Sequence, residues 1–389
     1  MRRSVRLCKP LERAIRAGHP WIFRDAIAGA VPPPGEAVTV LDRRGRPLAL
    51  GLCDASSLAV RIFSTDPRRD LDGALIDDRV RAAIALRQRV VPAETDAYRL
   101  IHGEGDRLPG VVCDRYGEYA VLKLDGDGVA KLREPIVEVL REHLPRVGVS
   151  ALVERTTRRE SAGASLVFGD APPEEVAVRE RGMLLLANLW AGQKTGLFLD
   201  HRESRARVRA LARGMRVLNL YGYTGGFSVA AALGGAPETL TIDIAKPALE
   251  LAARTFARNG FDPEHHRTDA GDVPAKLSAL QERGERFDLI VADPPNFAPN
   301  ARSVDRALES YQKLHAACCG LVVPGGLYLA ASCSSHVRAG AFVDTLREGA
   351  RRARAHLTVL EQHGAPADHP RPLAFPEGDY LKVVLASVR

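Results

Sequence analysis

The sequence lacks any apolar run long enough to cross a membrane, since no stretch approaches the ~18 residues that a span requires. Its N-terminus also lacks the continuous apolar core of a signal peptide. There is no Gln/Asn tract and no block of like charge. Hydrophobic residues make up 46% and charged residues 26% of the chain, which is ordinary for folded proteins and argues against a disordered tail. We therefore expect a soluble, cytoplasmic protein.

Cysteines are few and scattered, without a CxxC pair and without the His/Cys spacing that zinc sites use. The six are Cys8, Cys53, Cys113, Cys318, Cys319 and Cys333. We expect neither a disulfide framework nor a metal, because most cysteines of this kind are small buried hydrophobic residues.

A chain of 389 residues exceeds the about 100–200 residues of a common domain, so two or three domains are expected. The net charge of +7 and the isoelectric point near 9.2 suit a polyanionic partner, although arginine enrichment can equally reflect base composition of the genome. Residues 1–72 contain 13 Lys and Arg against 8 Asp and Glu. Most of the excess charge therefore lies at this end, which we predict to be a surface for phosphates.

Two patterns divide the N-terminal half. Residues 36–63 form short apolar runs separated by turn residues, which predicts a small β unit. Residues 72–92 switch to helical spacing. Between 98 and 187, strand-like runs surround one helical stretch, which predicts a compact α+β central unit.

After about residue 203, strand-like and helical segments alternate. This alternation is typical of a parallel sheet with helices on both faces, which binds ligands at the carboxyl ends of its strands. The sequence thus predicts an α/β, doubly wound C-terminal domain.

A glycine-rich turn follows the first apolar strand of this domain, in the sequence VLNLYGYTGG (217–226). Gly222 and Gly225 would let the backbone and a helix N-terminus approach a ligand closely, although tight packing alone can also require such glycines. Asp243 ends the next strand about 20 residues later, where a carboxylate accepts both ribose hydroxyls of an adenosine. We predict that Tyr223, in the same turn, also binds the cofactor.

Two further acidic positions are candidates. Asp272 follows the expected third strand and would accept a hydrogen bond from an adenine amino group, with Asp269 as the alternative. In FDLIVADPPNF (287–297), a buried strand delivers Asp293 to the same edge, and two prolines fix the direction in which the chain leaves. We predict that Asp293 binds cofactor and takes part in catalysis.

Together with Asp243, the sequence D-P-P-x-F at 293–297 and S-C-S at 332–334 resemble the ribosomal RNA large subunit methyltransferase I family, which is specific for cytosine C5. The likeness covers nearly the whole chain. Four other segments share it: GHPWIF (18–23), GEGDRLPGVVCDRYG (103–117), GQKTGLFLDHRESR (192–205) and FPEGDYLKVVL (375–385).

The resemblance implies three domains: a PUA-like RNA-binding domain at 1–72, a central α+β domain at 73–187, and a Rossmann-like class I methyltransferase domain at 188–389. It further implies S-adenosyl-L-methionine as cofactor and large-subunit ribosomal RNA as partner. Neither a membrane nor a metal is expected, and a homodimer is left open.

Cytosine C5 is a weak nucleophile, so its methylation first needs a thiolate to add at C6. Cys333 closes an apolar strand at the edge that carries Asp293 and is the expected nucleophile, whereas Cys318 and Cys319 lie in a helical stretch and are expected in the core. Relatives often have lysine where this chain has Asn296. The base that removes the C5 proton therefore stays open among His336, Lys194 and a water held by Asp293.

We predict that the substrate contacts Lys194, Asn296 and Phe297.

Two other functions stay open. The first is methylation of an exocyclic base nitrogen, for which D-P-P followed at once by an aromatic residue is usual; Asn296 interrupts that pattern here. The second is an inert RNA-binding assembly factor, against which argues the presence of Gly222, Asp243, Asp293 and Cys333.

Overall fold

The computed structural model describes residues 2–156 and 163–389, which divide into two compact units. Unit 1 comprises 1–176, 187–199 and 367–378; unit 2 comprises 177–186, 200–366 and 379–389. No helix in the described residues is both long and apolar enough to cross a membrane.

Unit 1 contains two sheets with helices packed on the second. Its elements are β1 (Arg3–Leu7), α1 (Glu12–Arg16), β2 (Trp21–Phe23), β3 (Ile27–Ala28), β4 (Ala37–Leu41), β5 (Pro47–Cys53), β6 (Leu58–Ser64), α2 (Gly73–Val90), β7 (Ala97–His102), β8 (Val111–Tyr116), β9 (Tyr119–Leu124), α3 (Asp127–Ala130), α4 (Arg133–His143), β10 (Ala151–Thr156) and β11 (Gly163–Phe168). The sheet orders are β2-β6-β5-β4-β1-β3 and β11-β10-β9-β8-β7. The predicted strands between 36 and 63 and the helix at 72–92 are confirmed.

The first sheet shares its core with the helices that follow it. Leu50, Leu52 and Phe63 pack in the same cluster as Leu75 and Val80 of α2. A truncation at residue 72 would therefore expose apolar surface of both parts, and point substitutions are the better probe of this end of the chain.

A buried arginine joins the same parts of unit 1. Arg61 on β6 donates to Asp54 at 2.9 Å, to Glu104 at 3.2 Å and to Asp125 at 3.3 Å. Trp21 donates its indole N–H to the Glu104 carboxylate at 2.9 Å. Because a buried guanidinium needs most of its N–H groups paired, this cluster fixes how β6 meets the segments around 104 and 125.

Unit 2 is built on a seven-stranded sheet. The remaining elements of the chain are β12 (Val176–Glu180), β13 (Met183–Ala187), α5 (Arg202–Leu211), β14 (Arg216–Leu220), α6 (Gly226–Leu233), β15 (Glu238–Asp243), α7 (Lys246–Arg258), β16 (His266–Ala270), α8 (Val273–Glu282), β17 (Phe287–Ala292), α9 (Val304–Cys319), β18 (Val322–Ser332), α10 (Ala339–Arg352), β19 (Leu357–His363) and β20 (Lys382–Val388). Short 3-10 turns cover Arg24–Ala26, Gly103–Asp106, Leu144–Val147, Leu199–His201, Ala301–Ser303 and Pro376–Gly378.

The strand order of this sheet is β16-β15-β14-β17-β18-β20-β19. The first five strands are parallel, as the alternation predicts. Strand β20 instead pairs antiparallel with β18 and with β19. The alternation does not extend to this edge, because β20 follows β19 through a loop and reverses direction without a crossover helix.

Both faces of the sheet are covered. One core contains Leu218, Ile290 and Tyr328 with side chains of α8, α9 and α10. The other contains Val217, Leu289 and side chains of α5 and α6. The strand residues alternate between the two cores, so the central strands are apolar at nearly every position. The predicted fold class is confirmed.

A buried ion pair fastens hairpin β12–β13 to helix α5 in unit 2. Arg205 donates Nε to Glu180 Oε1 at 2.6 Å, and its terminal nitrogen donates to the other carboxylate oxygen. Both side chains are almost completely buried. Removing one partner leaves the other charge buried without its counter-ion.

We expect Glu180→Ala to lower the free energy of unfolding by about 3–5 kcal/mol, because the Arg205 guanidinium then stays buried without its carboxylate. Urea denaturation followed by circular dichroism measures the change. Glu309→Ala is the matched control, since Glu309 forms an exposed helical pair with Lys313 and should change stability little. Equal effects of the two substitutions would contradict this account.

Candidate active site

The carboxyl ends of the parallel strands bring the candidate residues of unit 2 to one edge. Leu220 of β14 pairs with Ile242 of β15 on one side and with Ala292 of β17 on the other. The next residues along the chain are therefore level with one another. They are the glycine-rich turn, Asp243 and Asp293.

The turn after β14 has an unusual backbone. Tyr221 and Tyr223 adopt left-handed conformations with φ of 57° and 47°, and Gly225 follows with φ of 73°. Non-glycine residues rarely occupy this region, and such strain tends to collect at functional sites. Helix α6 begins at Gly226, directly after this turn, so its N-terminal N–H groups open toward the same edge.

The glycines are also required by packing behind the turn. A Cβ atom at Gly222 would lie 2.4 Å from Thr241 Cγ2 and 2.8 Å from Asn219 Nδ2. A Cβ atom at Gly225 would lie 2.9 Å from the Cβ of Ala252. Close packing therefore accounts for glycine at both positions, and their contact with a cofactor stays a prediction.

Asp243 joins two loops. One carboxylate oxygen accepts from the backbone N–H of Tyr223 and the other from that of Ala245, each at 2.8 Å. A carboxylate has about four acceptor positions, so acceptors remain for two further donors. Ile244 follows with 76% of its surface exposed. A carboxylate can accept from ribose hydroxyls, and an adjacent exposed apolar side chain can pack on the face of a base. Together they suit the binding of an adenosine.

The two acids considered for the adenine amino group have different partners. Asp272 caps helix α8 and accepts from the N–H of Ala275 at 3.2 Å. Asp269 pairs with Lys276 at 2.6 Å. A carboxylate that caps a helix with one oxygen keeps acceptor capacity, so the predicted role of Asp272 remains open to test.

Asp293 is paired with a histidine that the sequence patterns did not single out. Its Oδ2 lies 3.1 Å from Nε2 of His201, and the two side chains are 17% and 2% exposed. His201 Nδ1 contacts Ser204 Oγ at 3.3 Å, and that hydroxyl contacts His363 Nε2 at 3.0 Å. His201 lies in the segment 192–205 of the family resemblance, but only the fold shows that it reaches Asp293.

Cys333 lies directly after β18, beside the loop that starts at Asp293. Ser332 accepts a hydrogen bond from the hydroxyl of Tyr311 at 2.9 Å, and the Ser334 hydroxyl donates to the carbonyl of Ala298 at 3.2 Å. These two bonds hold the S-C-S segment against α9 on one side and against the D-P-P-x-F loop on the other.

The other predicted residues of this region have different environments. Phe297 packs on Tyr311 with ring centroids 5.0 Å apart. Asn296 is exposed and accepts from the N–H of Ala298 at 3.0 Å, which stabilises the loop. His336 is exposed. Lys194 belongs to unit 1, where its Nζ lies 4.3 Å from the centroid of the Phe198 ring.

Burial separates the cysteines. Cys318 and Cys319 are in the core of unit 2, as expected, and burial raises the pKa of Cys319 to about 12 and that of Cys318 still further. Cys53 and Cys113 are buried in unit 1. Only Cys8 and Cys333 of the six have substantial exposure. A thiol must be accessible to attack a base, so Cys333 is the one candidate at this edge.

In unit 1, Asp77, Glu142 and His143 form one group of metal-ligand type among the described residues, with donor atoms within 4.8 Å. Each already has a partner. His143 pairs with Asp77 at 2.5 Å, Asp77 with Arg81 at 2.8 Å, and Glu142 with Arg146 at 2.7 Å. We assign no metal to this group.

Comparison with known proteins identifies the family. The family model for S-adenosylmethionine-dependent methyltransferases matches residues 147–379, and a PUA-like domain matches residues 5–65. Ribosomal RNA large subunit methyltransferase I of Erwinia tasmaniensis is 34% identical over 97% of both chains. A ribosomal RNA large subunit methyltransferase of Deinococcus radiodurans is 36% identical over 98% of this chain and 97% of its own. The chain belongs to the ribosomal RNA large subunit methyltransferase I family.

Solved structures agree with the fold of this family member. A SAM-dependent methyltransferase from Streptococcus mutans superposes with a TM-score of 0.89 at 23% identity, covering 99% of this chain and all of that one. A methyltransferase complexed with SAH gives a TM-score of 0.88 at 24% identity over the whole of both chains. Family membership confirms S-adenosylmethionine as the expected cofactor.

We predict that Asp243→Asn weakens S-adenosylmethionine binding by about 1.5–3 kcal/mol, because an amide replaces a charged acceptor for the ribose hydroxyls. Isothermal titration calorimetry measures the affinity. Asp305→Asn, an exposed acid in the first turn of α9, is the control and should bind normally. Unchanged affinity in folded Asp243→Asn would remove Asp243 from the cofactor site.

Proposed function

We propose that this enzyme methylates carbon 5 of a cytosine in large-subunit ribosomal RNA, with Cys333 as the nucleophile. The observation that carries the proposal is the position of Cys333, an accessible thiol held beside the loop that starts at Asp293. The names of the relatives support ribosomal RNA as the substrate. Such an enzyme would act in the cytoplasm, where it meets that RNA.

The cofactor would lie at the edge defined by the turn 221–226 and Asp243. Asp243 would accept the ribose hydroxyls, Ile244 would cover one face of the adenine, and Asp272 would accept from its amino group. Tyr223 and Gly222 would line the pocket, with the N-terminus of α6 behind them. When bound, S-adenosylmethionine supplies an electrophilic methyl group.

Cys333 would make C5 reactive. Its thiolate attacks C6, an S–C6 bond forms, and the electron pair of the C5–C6 double bond becomes available at C5. After methylation, C5 carries both the methyl group and its original proton. Loss of that proton to a base returns the electron pair, breaks the S–C6 bond and restores the thiolate.

For the proton acceptor, we favour a water held by Asp293. The Asp293 carboxylate is oriented by His201 at 3.1 Å. Its other oxygen is left to hold a water or to contact the cytosine. His336 is exposed and forms none of the hydrogen bonds described for this loop, so it is the weaker candidate. Phe297 and Asn296 would contact the base or its neighbours, and Lys194 would contact the RNA.

RNA docking would use the basic N-terminal end. Arg6, Arg13 and Arg16 are exposed and form no ion pair among the described residues. Guanidinium groups that are not engaged by the protein's own acids are available to phosphates, and each phosphate contact releases a counter-ion. The PUA-like match at 5–65 covers all three arginines.

Cys333→Ala should abolish methylation while leaving the fold and cofactor affinity intact. Wild-type enzyme should form a covalent adduct with RNA containing 5-fluorocytosine, because fluorine cannot leave C5 as the proton does and the enzyme stays attached through sulfur. Denaturing gel electrophoresis detects the adduct. Cys8→Ala, which removes the other accessible thiol, should still form it.

Near-normal methylation by Cys333→Ala would contradict the carbon assignment, and the acceptor would then be a nitrogen or another cysteine would attack. Absence of cofactor binding in the folded wild type would instead favour an inert RNA-binding assembly factor. Mass spectrometry of the ribosomal RNA product identifies the methylated base directly.

Combined replacement of Arg6, Arg13 and Arg16 by Gln should weaken binding to ribosomal RNA fragments. It should also reduce the slope of log affinity against log salt by about 0.7–0.9 for each phosphate that the protein no longer neutralises. Fluorescence anisotropy at several salt concentrations measures both. The control replaces three exposed arginines of unit 2, namely Arg258, Arg267 and Arg306. A salt slope unchanged by the first set and reduced by the second would place the RNA surface in unit 2.

A further inference from the structure

Strand β20 begins with a lysine whose ammonium group is buried. Lys382 is 7% exposed. Its Nζ donates to the carbonyl of Tyr380 at 2.8 Å and to the carbonyl of Ser334. Among the described residues it forms no ion pair with a carboxylate. A cation removed from water without a counter-ion is costly, so an anion is expected nearby.

The sheet places this ammonium beside Cys333. Lys382 is the register partner of Ser332, the last residue of β18, and Cys333 follows at once. Lys382 therefore pairs in the sheet with the residue before Cys333, and its ammonium donates to the carbonyl of the residue after it. The sulfur of Cys333 is within electrostatic range of Nζ.

Other charged groups near this pair do not provide the missing anion. Asp379 is within electrostatic range of Lys382, but it is exposed and water screens it. Tyr311 faces Cys333 from α9, and burial raises the pKa of its hydroxyl, which therefore stays neutral. Asp293 faces the same Tyr311 and is paired with His201. Deprotonation of Cys333 would place an anion beside the buried ammonium.

We propose that Lys382 is a positioning residue that keeps Cys333 in its thiolate form. An ammonium has three N–H donors, of which two carbonyls take two, so one donor and the positive charge remain to act on the neighbouring sulfur. A cation beside a cysteine stabilises the thiolate, which is the reactive form. This inference rests on the nucleophile of the proposed function, but its test needs neither RNA nor methylation.

The titration of the pair has a defined direction. Burial lowers the pKa of Lys382 to about 8, and the neighbouring Cys333 opposes part of that shift. The ammonium is therefore present at neutral pH and is lost as the pH rises past about 8. A thiolate that depends on it should form below the ordinary thiol pKa of about 8.5.

The test measures the rate of alkylation by iodoacetamide against pH, with full-length Cys8→Ser protein, in which Cys333 is the one accessible thiol. Peptide mass spectrometry assigns the modified residue. The midpoint for Cys333 should lie below about 8.5. Lys382→Met should raise it by about one pH unit or more, and Lys382→Arg should restore most of the shift because it keeps the charge.

Two results would overturn the proposal: a midpoint at or above the ordinary thiol value in the protein with Lys382, or an unchanged midpoint in folded Lys382→Met. The first needs no variant at position 382, so it holds even if Lys382→Met fails to fold. A low, lysine-dependent midpoint without a 5-fluorocytosine adduct would keep this inference and reject the proposed carbon chemistry.

Discussion

The register of β14 between its two parallel neighbours is the constraint on which the candidate site depends. Leu220 is level with Ile242 and Ala292, and Ala292 is level with Ala330 of β18. Four consecutive strands of the sheet therefore deliver their following residues to one edge. A shift of one residue would exchange the side chains that pack in the two cores, so the close packing of both cores protects the alignment of the site.

Around that edge, hydrogen bonds hold in place the loops that the strand register brings close together. The Asp243 carboxylate ties the turn after β14 to the loop after β15 through two backbone amides. The Ser334 hydroxyl ties the segment after β18 to the loop after β17. Each loop is thereby held by a neighbour instead of by its own strand alone, which suits a site whose groups must keep fixed distances.

Sequence patterns predicted which segments form strands and helices better than they predicted which strands pair with one another. Alternating apolar runs predicted β14, β15 and β17 with their intervening helices, because strands buried on both faces are apolar throughout. The strands β7 and β12 were not singled out, since their polar residues break the pattern. The antiparallel direction of β20 was missed as well, because direction depends on which strand it pairs with and leaves no periodic signal.

By itself, the sequence determined the fold class, the family and the order of Gly222, Asp243, Asp293 and Cys333, since these depend on residue type and spacing along the chain. Only the tertiary structure decided which distant side chains contact these positions. His201 reaches Asp293 across 92 positions of the sequence and Lys382 reaches the S-C-S segment across 48. Contacts over such separations arise from strand order and packing, which local periodicity does not encode.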